Sequence, residues 1–555
     1  MTDLAALSAD YFADLLAFDP FGATAFGVPG HDDAVPDPSR AADGARLDRL
    51  AGFRARLDAL PPGTGPQDPV TRHMLDRLLT DQRAELAAGF GVGAFEVGVT
   101  ATFAGLQNAV FATVPTVRPR DEEGFATYLR RLAALDGYFD ALSARYQQAD
   151  REGRHSTATG VRQAVRQLRA YLASPPGEDP FLRPAAGDPD RLDRVAAEVT
   201  RTVRPAVARF TDTLAGLSGR DDDRVGLCHV PGGEAAYAAA TRSHTSTSLS
   251  PEQLHRIGLD QLERLRDEFA ALGERVFGTH DVTEVLRRLR EDVSLRFDTA
   301  EQIVDTATTA LRRAEAALPG WFHPYAIAPC EVVPMHAVEA ENSTLAYYLA
   351  AAEDGSRPGA HVVNTHDPRS RPRYEYEALA FHESVPGHHL QIALAQSLDD
   401  LPAFRRFTYV AAHAEGWGLY AERLADEMGL YTDDLARMGM LSFDAWRACR
   451  LVVDTGMHHF GWSRDRALAF LRDGSALSEA NVRNEVDRYI AWPGQATAYL
   501  VGRLHVEELR SRAQRTLGAR FDLRDFHHHV LTNGAVPLDT LTTVVDRWLA
   551  SPDGP

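Results

Sequence analysis

Between residues 251 and 277 the apolar side chains Leu262, Leu265, Phe269, Leu272 and Val276 recur at alternating steps of three and four. An α-helix places such positions on one face, so this segment must bury a stripe against a partner. Ser250 supplies an N-cap, Pro251 suits the first helical position, and Gln253 completes a capping box. The same spacing returns around 69–87, 122–150, 157–173, 190–217, 299–318, 403–429, 436–458 and 496–517. Alternation of period two is rare. It is clearest in GAHVVNT at 359–365 and weaker in CEVVPMHAV at 330–338. The expected fold is therefore mainly α, with little sheet.

Pro- and Gly-rich punctuation falls at 60–68, 174–190 and 218–224. The chain is expected to divide near 245, into a helical half (1–245) and a half that carries the chemistry (246–555), sharing a core across a cleft. With 78 acidic and 59 basic residues the net charge is −19. No basic block stands out, which argues against nucleic acid and anionic membranes as partners. No apolar run reaches the roughly 18 residues that a membrane span needs. The opening MTDLAALSADYFADLL lacks a basic n-region and a small-residue cleavage site. Cys228, Cys330 and Cys449 are the three cysteines, far apart and without a CxxC pair. Together these features predict a cytoplasmic protein without disulfides. The chain contains no lysine. Schiff-base chemistry, pyridoxal phosphate and a Walker-type phosphate loop, each of which needs one, are excluded.

The stretch FHESVPGHHLQ at 381–391 opens like a His-Glu-x-x-His zinc helix, but position 386 is proline, followed by Gly387, His388 and His389. On a regular helix, residues six apart are separated by about 9 Å of rise and ~120° of rotation. Two imidazoles on one zinc need nitrogens within about 3.3 Å. His382 and His388 meet that condition only if the backbone bends. Pro386 has no N–H for the His382 carbonyl and crowds it, and Gly387 relaxes the backbone, so a kink between them is expected. His388 is the favoured second ligand and His389 the alternative. The third ligand is sought in HAEGWGLYAERLADEMG, where Glu415 lies among apolar neighbours that make an unpaired carboxylate costly. Glu422, seven residues on, is the alternative or a supporting group. Glu383, next to the first ligand, is the candidate general base acting on water.

HESVPGHHLQ, EGWGLYAE, RLVVDTGMHHFGW and RYIAWPGQATAY resemble the hallmark blocks of family 885 of the domains of unknown function. GGEAAYAAATRSHTSTSLSPEQLHRIG and FHHHVLTNGAVPLDTL also look like blocks of that family, and the likeness covers nearly the whole chain. The family is placed with the gluzincin metallopeptidases, distantly similar to thimet oligopeptidase, angiotensin-converting enzyme and carboxypeptidase Taq. The resemblance implies a large helical gluzincin-like fold with a central cleft and a small β-sheet beside the active site. It implies zinc on His382, His388 and Glu415, with Glu383 as base. The two extra residues between the histidines depart from the usual five-residue signature.

Further roles are expected around this centre. Arg450, Asp454 and His458 share a helix face at i, i+4, i+8. Asp454 is expected to fix the tautomer of His458, which would then donate to a developing oxyanion. Arg450 and Gln495 are expected to contact substrate. The related gluzincins use a later tyrosine for the oxyanion, which points to Tyr489 or Tyr499. The strand at 359–365 is expected to be an edge that aligns substrate, with Asn364 adding a side-chain contact. The His527-His528-His529 triplet is accounted for by an amphipathic helix carrying Leu523, Phe526, Val530 and Leu531. GFGVGAFEVG at 89–98 follows a helical stretch and not a strand, so it does not open a dinucleotide site.

The expected activity is zinc-dependent hydrolysis of a peptide or peptide-like amide. The alternatives are a metal-dependent tailoring enzyme acting on a small amide metabolite, and a catalytically silent metal-binding protein. Mn²⁺ or Co²⁺ could use the same ligands. A di-iron bundle is disfavoured, because it requires two Glu-x-x-His motifs.

Overall fold

The computed structural model describes residues 3–63, 65–335, 340, 344–352 and 357–551. It is 72% helical with one three-stranded sheet, the mainly α architecture expected from the spacing. The helix Pro251–Phe277 starts with the Ser250/Gln253 capping box and buries Leu265, Phe269 and Leu272. Its partner is the long helix Asp434–His458. The helix Ala411–Glu427 packs as closely on Ala498–Leu517, and a β-carbon on Gly416 would come within 2.4 Å of the Gly502 backbone. Only hydrogen side chains allow that approach.

Two of the expected helices are interrupted. The 190–217 stretch is helical at Pro189–Glu198 and Arg204–Ala215, with a π turn at Val199–Val203 between them. Pro205 has no N–H for a regular ladder, and the widened turn precedes it. The 403–429 stretch is two helices, Ala403–Phe407 and Ala411–Glu427. Thr408 and Val410, both β-branched and both extended, separate them and flank Tyr409.

The sheet comprises β1 (Cys330–Pro334), β2 (Ala346–Leu349) and β3 (Gly359–Val363), in the order β1-β3-β2. β1 runs parallel to β3, and β2 antiparallel with Tyr348 opposite His361. The expectation that 359–365 forms an edge is therefore corrected. The AYYL segment, whose pairing partner cannot be read locally, occupies the second side of β3. The 330–338 pattern is a strand to Pro334, and positions 336–338 lie outside the described residues. Ala360 and Val362 pack with Met335 and Ala340, while Val363 joins the core shared with Tyr376, Phe381 and Leu441. By alternation His361 faces those helices as well. A second core joins the first helices, through Leu7, Tyr11 and Met74, to Trp417, Val506 and Trp548 near the other end of the chain.

Candidate metal centre

The helix that carries His382 runs Tyr376–Glu383 and stops, and a new helix begins at His388 and runs to Gln396. A bent helix was expected; a full break is observed. A β-carbon on Gly387 would lie 1.9 Å from the His382 carbonyl oxygen and 2.4 Å from that of Phe381, so only glycine permits this return of the chain. The Trp417 indole N–H donates to the Pro386 carbonyl at 2.8 Å, fastening the turn to the Ala411–Glu427 helix. On that same helix, Gly418 leaves room for the His382 ring, which a β-carbon would approach to 2.5 Å.

The break brings the two imidazoles together, with ring centroids 4.6 Å apart and planes at 83°. Glu415 Oε2 is 3.6 Å from Nε2 of both His382 and His388. The three donor atoms lie within 4.8 Å of one another, the one such grouping among the described residues. Ligand atoms on a tetrahedral zinc stand about 3.3 Å apart, close to the 3.6 Å that separates Glu415 from each imidazole. The remaining atoms of these groups are fixed from outside. Glu422 Oε1 is 2.7 Å from His382 Nδ1. The Tyr409 hydroxyl donates to Glu415 Oε1 at 2.5 Å, which leaves Oε2 alone to face the imidazoles. A second carboxylate behind a ligating histidine is the usual orienting contact at a metal site. His389, the alternative ligand, is turned away, with ring nitrogens 3.1 Å from the Tyr348 hydroxyl and 3.0 Å from the Ala328 carbonyl.

Charge balance suits a cation here. Burial works to lower the pKa of His382, but Glu415, Glu422 and Glu383 outweigh it and raise it to about 10. Burial works to raise the Glu415 carboxyl, and the two imidazoles outweigh it, holding it well below the carboxylate range. Glu383 is half-buried at the helix end beside His382. The donors, their spacing and the surplus of carboxylate charge all fit a divalent ion.

Several expected roles are corrected by the hydrogen bonds. His458 Nδ1 accepts the Leu227 N–H at 3.1 Å, and Nε2 lies 2.9 Å from the Tyr489 carbonyl. Both nitrogens are spent on backbone, and burial lowers the pKa to about 4, so this neutral ring joins chain segments and has no donor for an oxyanion. Asp454 does not orient it; Asp454 accepts from the Tyr237 hydroxyl at 2.6 Å and the Gly494 N–H at 3.1 Å. The Tyr489 hydroxyl donates to Glu485 and accepts from Trp446 and Arg450, which exhausts it. Arg450 pairs with Glu485 at 2.8 Å and is sandwiched between the Trp446 and Tyr499 rings, not presented to substrate. Gln495 is equally enclosed, accepting from Arg488 at 2.6 Å. Asn364 donates to the Ala340 and Thr344 carbonyls, bracing the β2–β3 region.

Tyr499 differs. Its hydroxyl accepts from Arg488 at 3.2 Å and from Gln495 at 3.5 Å, and so keeps its own proton to give. Tyr409, which spacing had placed inside a helix, reaches the centre because of the helix interruption. His361 was also missed. It is fully buried on β3, both ring nitrogens lack hydrogen-bond partners among the described residues, and burial together with the His382 charge pushes its pKa down to about 3. The local signals were Thr-Tyr-Val at 408–410 and a polar residue inside an apolar strand.

A family model described as "Bacterial protein of unknown function (DUF885)" matches residues 20–545. No curated protein matches the chain. Solved structures similar to this chain include two putative lipoproteins. The putative lipoprotein from Colwellia psychrerythraea is 25% identical, with a TM-score of 0.90 and 98% of each chain covered. A putative lipoprotein of unknown function from Shewanella oneidensis is 17% identical, with a TM-score of 0.75 over 98% of this chain and all of that one; this likeness shows the fold alone. Because the Colwellia structure is described as a putative lipoprotein, the expectation of a cytoplasmic protein is withdrawn. No described helix is long and apolar enough to cross a membrane.

Proposed function

The chain belongs to the DUF885 family, and from that premise we propose that it is a zinc-dependent hydrolase of peptide or peptide-like amide bonds. The observation that carries the reading is the convergence of His382, His388 and Glu415, three residues from two broken helices and a third, on one point. A zinc ion held there would act as a Lewis acid and lower the pKa of water. Every other task falls to the chain. Glu383, half-buried beside His382, takes the proton of the attacking water and returns it to the leaving amine. The Tyr499 hydroxyl, whose oxygen is already held by Arg488 and Gln495, donates to the oxygen on which negative charge develops. Glu422 holds His382 in one orientation. Tyr409 keeps one oxygen of Glu415 occupied, so that the carboxylate offers a single donor.

The test has two parts. Metal analysis of wild type beside His388→Ala and His389→Ala reads the donor set: bound zinc should vanish only in the first. Digestion of a mixed peptide library by wild type and Glu383→Gln reads the chemistry. Cleavage that persists in Glu383→Gln, or a wild type that takes up zinc and cleaves nothing, would overturn the proposal.

A further inference from the structure

Phe103 is 60% exposed and Tyr409 is 51% exposed, although large aromatic side chains are ordinarily covered. An isolated apolar residue at the surface needs no explanation. Phe103 is not isolated. Its ring meets Trp492 edge-on at 6.1 Å, and the Arg488 guanidinium lies 4.9 Å from its centre. The same guanidinium donates to the hydroxyl of Tyr499, the residue proposed to face the developing oxyanion. A run of contacts thus leads from the exposed Phe103 and the half-buried Trp492 to the Tyr499 hydroxyl.

The loop that presents Phe103 is rigidly built. Between Gly98 and Gly105 its carbonyls are taken by side-chain amides: that of Thr100 by Gln107, that of Ala101 by Asn108 and Gln167, and that of Thr102 by Asn108. Gly98 presses so closely on the end of the Glu479–Ala491 helix that a β-carbon would lie 2.5 Å from the Ala491 carbonyl oxygen. Side chains of one half of the chain therefore hold the phenyl ring outward beside the other half. The charge beneath the ring is already spent. Arg488 is engaged by Glu485, Gln495 and Tyr499, so what remains on offer is aromatic surface and not a free cation.

We propose that Phe103 and Trp492 form a subsite for an apolar, preferably aromatic, side chain of the substrate, beside the bond to be cut. This rests on the hydrolase reading above. The fixed loop means that the subsite is formed before substrate arrives, so its contribution is binding and not catalysis.

Two N-acetyl amino-acid hydroxamates, one with a benzyl and one with a methyl side chain, are titrated calorimetrically into zinc-loaded wild type, Phe103→Ala and Phe103→Leu. Wild type should prefer the benzyl compound by on the order of tenfold or more. Phe103→Ala should lose that preference, Phe103→Leu should recover part of it, and affinity for the methyl compound should stay constant across the three. Equal affinities in wild type, including no measurable binding of either compound, or a preference that survives in Phe103→Ala, would overturn the subsite. The peptide-library digest separates the two claims. A protein that prefers the benzyl probe but cleaves no peptide keeps the subsite and loses the hydrolase.

Discussion

Two clusters of buried polar side chains lie close together and behave in opposite ways. Around 382–415, Glu415 faces His382 and His388 across 3.6 Å gaps, and His388 Nδ1 and Glu422 Oε2 have no hydrogen-bond partner among the described residues. Around 450–495, Asp454, His458 and Tyr489 end on neighbouring backbone and side chains, and Arg450, with Nη1 unpartnered among the described residues, is closed in an ion pair with Glu485. Both clusters are helical, buried and rich in ionisable groups, so residue type and spacing do not separate them. What separates them is where the hydrogen bonds go. A polar group that ends on backbone or on a closed ion pair stabilises the fold, whereas groups that converge on one another with atoms unspent leave room for a guest.

The largest expected contrast is catalytic. Glu383→Gln should lower kcat on library-identified peptides by about 10²–10⁴ while zinc content is unchanged. His458→Gln should leave kcat within a few-fold of wild type; a loss matching that of Glu383→Gln would restore His458 to the chemistry and erase the contrast. Next comes stability. His458→Ala strands the buried Leu227 N–H and should cost about 1–3 kcal/mol in urea unfolding with zinc retained. A third substitution sharpens the ligand side. Tyr409→Phe frees Glu415 Oε1 and should weaken zinc binding about 10- to 100-fold in a chelator competition, without loss of fold.

The smallest expected effect is on the pH dependence of the zinc-free protein, and the two histidines should differ in sign. His382 is raised to about 10 in the fold, so its contribution is complete below its unfolded value near 6.5 and is lost as pH rises toward 10. His458 is lowered to about 4, so the unfolded chain binds the extra proton between 4 and 6.5, and stability falls as pH drops through that window. Urea unfolding of zinc-free wild type, His382→Gln and His458→Gln across pH 4–10 checks both slopes. Parallel curves for the two variants would mean that the clusters are electrostatically alike.

These outcomes bear on how far local pattern reaches. The helices were legible because a three-four apolar step leaves no other geometry, and the Ser250–Gln253 box marked a true start. The break before His388 was legible in kind, since a proline without an N–H and a glycine against two carbonyls cannot continue a helix. It was not legible in degree: a bend was expected, and the chain instead ends one helix and starts another. Tyr409 was hidden because its place depends on which of two competing preferences wins at Thr408–Val410. β3 was read as an edge because the strand that covers it, Ala346–Leu349, pairs through backbone groups that every residue shares.

What the sequence determined by itself, then, is the helical architecture, the interruption at 384–387, and a short roster of residues able to bind a metal. Those follow from backbone sterics and from period, which act over a few residues. Tertiary structure decided which members of that roster face a common point and which are consumed in holding the fold. His388 and His389 are neighbours in the chain, and His382 and His458 are both buried histidines near helix ends. Their partners come from residues 27 to 231 positions away. A hydrogen bond is directional and used once, so a side chain's role is settled only when the distant group that claims it has been brought into place.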